Sequence, residues 1–139
     1  MFYIVVCNKK NYFICKNNGI YATKNDRFLK KIEDKDILIF YIKRKSLIPG
    51  IYKVTKKMSL FNDVLFKNNN FQFKVKIKPI IELEEDKWFN FKTITDKLSI
   101  IKKKNIPPGL YLQSTVKNLP EEDYKLIFSE ISKIKKFKE

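Results

Sequence analysis

The cleanest alternation of apolar and polar residues in the chain runs from Phe71 to Lys78. Phe71, Phe73, Val75 and Ile77 fall on one side, and Gln72, Lys74, Lys76 and Lys78 on the other. A period of two predicts a strand with one wet face. Pro79 follows, and is expected to end pairing or to lie at an edge, because proline brings no N–H to a ladder. Phe2 to Cys7 is an unbroken run rich in β-branched and aromatic residues, which predicts a buried first strand. Ile37 to Lys43 reads as a central strand. Ile51 to Thr55 reads as a strand with Tyr52 and Val54 inward and Lys53 and Thr55 outward.

Helical signals stand between these runs. Asn8 can cap a helix over Lys9 to Asn17, with Tyr12, Ile14 and Cys15 toward the core. Asn18-Gly19 closes it, since glycine at that position accepts a left-handed conformation. A short extended piece, Ile20 to Thr23, follows. A second helix is signalled near the end of the chain. Pro120 suits its first turn, and Glu121, Glu122 and Asp123 oppose the positive end of the helix dipole. Tyr124, Ile127, Ile131 and Ile134 recur at helical spacing as its core stripe.

The segments between are turns and loops. Lys24 to Asp36 is polar, with Phe28, Leu29 and Ile32 as anchors and a helical turn expected. Arg44 to Gly50 reads as a turn, Leu60 to Phe66 as a short amphipathic piece, and Lys67 to Asn70 as a loop. A mixed stretch covers Phe91 to Ile101. Pro107-Pro108-Gly109 is a loop, and Leu110 to Leu112 a possible short strand. The order of elements predicts an α+β domain with a curved or barrel-like sheet, and 139 residues fit one domain, 1–139. No repeat or interdomain linker interrupts it.

Charge changes the picture. Lys plus Arg number 30 against 15 Asp plus Glu, a formal net charge of +15. Such an excess attracts polyanions, nucleic acid foremost and an anionic membrane surface second. The abundance of Lys, Ile and Asn also fits a lysine-rich proteome, with Arg27 and Arg44 as the arginines.

Candidate chemistry is sparse. The chain has no histidine, which removes the commonest general base and a common metal ligand. Cys7 and Cys15 lie in apolar stretches without CxxC spacing and are expected as reduced, buried thiols of a cytoplasmic protein. The apolar runs fall well short of the roughly 20 residues that span a bilayer. No signal peptide is expected at the N-terminus. Glu82, Glu84, Glu85 and Asp86 form a carboxylate cluster that reads as a solvated turn. No serine has a histidine partner, and Gly19, Gly50 and Gly109 build no phosphate loop. The chain is therefore expected to be no enzyme and to need no metal or cofactor. Base binding would need aromatic faces near cations. Tyr21, Phe61, Phe66, Phe71, Trp88 and Tyr111 are the aromatics outside obvious core strands; Lys102, Lys103 and Lys104 form a late run of cations. Each aromatic also fits an ordinary core position.

The stretches FYIVVCNKKNYFICKNNGIYAT, KKIEDKDILIFYIKR, GIYKV, LFKNNNFQFKVKIKPI and NLPEEDYKLI, in this order, cover most of the chain. Together they resemble archaeal members of the EVE family, in the PUA-like superfamily that also holds the YTH domains. The resemblance implies a β-barrel of about five or six strands with flanking helices and a C-terminal helix. It implies a pocket beside the barrel for a flipped, modified base, methylated adenine or cytosine. Tyr21 falls where the family usually carries a Trp of the cage. Asn8, and less directly Asn11, match polar groups at the base edge. Phe66 and Phe71 flank the loop of another wall, and Gln113 and Ser114 lie in a late loop near the ligand. Lys9, Lys10, Lys16, Lys24, Arg27, Lys30 and Lys31 are the expected phosphate-binding residues. The acidic residues at 82–86 and 121–123 are expected at the opposite end from them. Partners implied are DNA or RNA with a modified base. Two alternatives stand beside this reading. One is a recognition or regulatory module of a modification-dependent restriction or defence assembly, with a partner protein. The other is an RNA-binding module without modification specificity.

Overall fold

The computed structural model describes residues 1–23, 31–57, 73–101 and 116–136. Strand β1 (Phe2–Cys7) leads through its Asn8 cap into helix α1 (Lys9–Asn18), which Gly19 closes at φ 64°. Strand β2 (Ile20–Thr23) follows. After it come β3 (Ile37–Ile42), β4 (Leu47–Ile48), β5 (Gly50–Lys57) and β6 (Phe73–Glu82). A 3-10 turn at Glu85–Lys87, β7 (Phe89–Asn90) and a 3-10 stretch at Phe91–Lys97 lead on toward β8 (Val116–Leu119) and helix α2 (Glu121–Lys136).

The strands form one sheet in the order β2-β6-β5-β3-β1-β8, with β4 and β7 branching from β3. β1 and β3 are parallel, with Val5 opposite Phe40; the remaining pairings are antiparallel. A parallel pair needs a crossover, and the chain between β1 and β3 supplies it through α1 and β2. Interior position explains the continuous apolar runs of β1 and β3: Ile4, Val5 and Leu38 to Ile42 are all buried.

The closed barrel expected from the sequence is not what the ladder shows. β2 and β8 are the two ends of the path, each a short strand paired only inward among the described residues, so the sheet is open. Closure requires hydrogen bonds between the end strands, and these two do not meet.

Three local expectations also change. Pro79 does not end β6. It stands opposite Tyr52, where the register slips and Ile80 becomes an extra residue, 39% exposed. A bulge is one of the few places in a strand that tolerates proline. Arg44 to Gly50 is not all turn. Arg44 and Ser46 take φ of 70° and 55°, the chain reverses, and β4 returns along β3. Lys74 lies on the outward side as the alternation predicts, yet is 1% exposed, opposite the buried Ala22.

Helix α2 presents Ile127 and Ile131 to the core, and Tyr124 stacks on Phe2 at 4.2 Å. Pro120 immediately precedes it, and its carbonyl accepts from the Tyr124 N–H. Asp123 does not serve the helix dipole from the surface. It is buried and accepts from the Ser99 N–H, the Ser99 hydroxyl and the Ile100 N–H at 2.9–3.0 Å. No helix among the described residues is long and apolar enough to cross a membrane.

Candidate nucleic-acid interface

Of the residues expected to bind that lie among the described ones, all but Lys31 stand on the β1–α1–β2 unit. Asn8 is exposed at the start of α1, and its Oδ1 accepts from the Asn11 N–H at 2.7 Å. That bond satisfies one of the free N–H groups of the first helical turn. Its amide nitrogen is the group left to meet a ligand. Asn11 is half-buried on the same turn.

One turn further, Tyr12 enters the core, at the centre of an aromatic cluster. Its ring lies 5.3 Å from Phe40 and 5.6 Å from Trp88, both edge-to-face. Phe40 meets Tyr52 at 5.1 Å and Tyr21 at 5.7 Å, again edge-to-face. These separations are in the range aromatic pairs prefer. Trp88, which the sequence placed outside the obvious core strands, packs in this cluster, where the 3-10 turn at Glu85–Lys87 brings it against α1.

Tyr21 is 2% exposed on β2, opposite Val75, with its ring against Phe40. Asn8 and Tyr21 therefore flank α1, Asn8 just before its start and Tyr21 three residues past its end, with a helix ~15 Å long between them. Phe66, Phe71, Gln113 and Ser114 lie outside the described residues, as do Phe61, Tyr111, Lys24, Arg27 and Lys30. Lys10 and Lys31 are exposed and Lys16 is half-buried.

The expected separation of charge does not hold. Lys9 forms an ion pair with Glu85, so the acidic cluster sits beside the first helix. The reason is strand direction. β6 runs the same way as β1, since β3 is parallel to β1 and both β3 and β6 are antiparallel to β5. The end of β6 thus arrives at the rim where α1 begins. There Glu82 accepts from the Tyr52 hydroxyl at 2.6 Å, and the Tyr52 and Tyr12 hydroxyls share a bond of 2.8 Å. Burial is the main cause that raises both phenols above their ordinary pKa; the bond to Glu82 raises Tyr52 further. Cys7 and Cys15 are free thiols, and burial pushes both up, Cys15 to about 11. Among the described residues no group of three or more carboxylates or thiols is placed to hold a metal ion.

No family model matches the chain. It is 29% identical over 142 residues to a UPF0310 protein of Pyrococcus abyssi (strain GE5 / Orsay), covering 92% of this chain and 97% of that protein. It is 28% identical over 142 residues to a UPF0310 protein of Pyrococcus horikoshii, covering 91% and 95%. Among solved structures it is similar to a YTH domain-containing protein, mmi1, in complex with RNA: TM-score 0.71, 14% identity, 99% of this chain and 86% of that one. The Pho92 YTH domain in complex with m6A gives a TM-score of 0.67 at 16% identity, over 94% and 82%. The chain has a YTH-like α+β fold. Its sequence relatives are archaeal UPF0310 proteins.

Proposed function

We propose that the chain is a nucleic-acid-binding domain that takes up an unstacked base, bearing a methyl or similar group, beside Tyr21. The observation that carries this reading is the β1–α1–β2 unit, set in a YTH-like sheet, with an amide at the start of the helix and an aromatic ring just after it. Solved YTH domains with this fold were obtained in complex with RNA and with m6A. The net charge of +15 agrees with a polyanionic partner.

In this reading Lys9, Lys10, Lys16 and Lys31 hold phosphates, and Lys24, Arg27 and Lys30, which lie outside the described residues, are the further cations it calls on. Lys9 contributes less, because Glu85 already neutralises it. A base leaves its stack at a cost of a few kcal/mol, least in single strands. Stacking on Tyr21 returns ~1–3 kcal/mol. The amides of Asn8 and Asn11 read the base edge, since an amide both donates and accepts. The reading takes its second wall from Phe66 or Phe71 and further contacts from Gln113 and Ser114, all outside the described residues. Tyr21 is covered in the structure, so a base reaches its ring only after local opening.

The test is binding at moderate salt to short DNA and RNA oligomers that differ in one base modification. Strong preference for one modified base is the expected result. Equal binding to every oligomer, vanishing together as salt rises, would sink the pocket and leave only a basic surface.

A further inference from the structure

β5 and β6 are interior strands of the sheet, flanked by β3 on one side and β2 on the other. Their shared ladder sets lysine directly opposite lysine twice: Lys53 against Lys78, and Lys56 against Lys76. All these lysines are exposed. Opposed residues of an antiparallel pair hold their β-carbons ~4.5–5.5 Å apart, and like charges so placed destabilise the sheet. The ion pairs Met1–Asp36, Lys9–Glu85 and Lys133–Glu130 all lie away from this ladder. Lysines commonly blunt the edge of a sheet, but these strands are not edges.

The bulge in β5 sharpens the point. By simple alternation Lys56 would share the inward side of Tyr52 and Val54. The register shift between Val54 and Lys56 makes Thr55 the extra residue and turns Lys56 outward, opposite Lys76. The Thr55 hydroxyl donates to the Lys76 carbonyl at 3.4 Å and pins the irregularity. The backbone thus departs from regular pairing in a way that adds a cation to an already repulsive face.

We infer that the outward face of β5–β6 is a phosphate-binding surface for a single-stranded nucleic acid, separate from the cations of α1. This rests on the nucleic-acid reading above and deepens it. Consecutive rungs lie two residues apart along β6, ~6.8 Å. A stacked strand advances ~3.4 Å per phosphate, so every second phosphate meets a rung. Each phosphate so held offsets the repulsion within its rung. Charge complementarity and regular spacing both fit this occupant.

The test compares the whole chain with Lys53→Gln/Lys78→Gln, with Lys56→Gln/Lys76→Gln, and with a control that removes two exposed charges from α2, Lys125→Gln/Lys133→Gln. Melting without nucleic acid verifies folding. Each rung variant is expected to melt at or above the parent temperature, because a like-charge pair is gone. Binding of a labelled single-stranded RNA 12-mer is then followed across a salt series. Each rung variant is expected to flatten the slope of log affinity against log salt by about 1.4, two contacts at about 0.7 each. The control is expected to leave the slope nearly unchanged. Parent-like slopes in folded rung variants, with the parent itself binding in a salt-dependent way, would overturn the ladder and leave the nucleic-acid reading intact. A parent that binds no RNA or DNA oligomer overturns that reading and the ladder with it. A parent that binds phosphatidylserine vesicles but no oligomer does the same and assigns the face to membranes.

Discussion

The Tyr12 and Tyr52 hydroxyls meet at 2.8 Å in the interior, and Tyr52 continues the chain to Glu82 at 2.6 Å. This links α1, β5 and the end of β6 through two buried hydroxyls and the half-buried Glu82 carboxylate. A buried hydroxyl without a partner costs ~1–3 kcal/mol. Tyr52→Phe breaks both bonds and strands the Tyr12 hydroxyl, so it is expected to lower stability by about 2 kcal/mol in urea unfolding. Tyr12→Phe leaves the Tyr52–Glu82 bond and is expected to cost less. Equal stability of all three proteins would show that the chain contributes nothing to the fold.

Alkaline pH should unfold the protein early. The thiols of half-buried Cys7 and buried Cys15 and the buried phenols have pKa values raised above their ordinary 9.0 and 10.0, chiefly by desolvation. The unfolded chain therefore loses protons first as pH rises, and stability falls with it. Their contribution is complete below pH 9 and is lost progressively above it, as the Cys15 value of about 11 and the still higher phenol values are approached. Melting temperature against pH is expected to turn down between pH 9 and 10, and Cys7→Ala/Cys15→Ala to delay the turn. A flat profile to pH 11 would contradict the assignment.

Asp123 holds two backbone N–H groups and a hydroxyl of the 99–100 turn from inside α2. Asp123→Ala leaves those donors unsatisfied and is expected to cost about 3 kcal/mol by thermal melting. Asp123→Asn keeps the shape but turns one acceptor into a donor, and is expected to fall between. Asp123→Glu is too long for the turn and should not rescue.

Two glycines fail for different reasons when substituted. Gly19 takes φ 64°, and a β-carbon there would meet the Ile77 carbonyl at an ordinary 3.7 Å. Gly19→Ala is expected to cost ~1–2 kcal/mol from backbone conformation alone, and Gly19→Asn to recover most of it. At Gly50 a β-carbon would lie 2.9 Å from the Ile81 carbonyl and 3.1 Å from the Tyr52 ring. Every side chain there should destabilise, Asn included. Chemical denaturation of Gly19→Ala, Gly19→Asn, Gly50→Ala and Gly50→Asn checks both.

Tyr21→Leu tests the proposed pocket. It keeps apolar volume and removes the π face, so binding to the preferred oligomer should weaken about tenfold, within the range of lost stacking. The salt slope should stay that of the parent, because no phosphate contact is lost. A changed slope with unchanged base preference would remove Tyr21 from the site.

Much of the fold was legible in the residues. The alternation around Val75 and Ile77 and the apolar runs at 2–7 and 37–43 identified strands. Asn8 and Gly19 marked the ends of α1 to within a residue, because caps and left-handed turns depend on local chemistry. The stripe of Ile127 and Ile131 named the buried face of α2. Strand β8 was missed: Val116–Leu119 has too little alternation, and its pairing with β1 is a contact across the whole chain. The candidate site was legible only as residue types. Tyr21 and Asn8 were singled out: the cap at Asn8 follows from Asn11 three residues on, whereas the burial of Tyr21 follows from Phe40 and Val75, distant in sequence.

Local pattern determined where strands and helices form, since propensity, capping and periodicity act over a few residues. Tertiary structure alone decided which charges distant in sequence meet. The direction of β6 carried Glu85 to Lys9, and the register of β5 on β6, shifted by the extra residue Thr55, set Lys53 and Lys56 against Lys78 and Lys76. A sequence lists its cations in one dimension. Their mutual repulsion, and the partner that would relieve it, depend on distances that only the paired strands create.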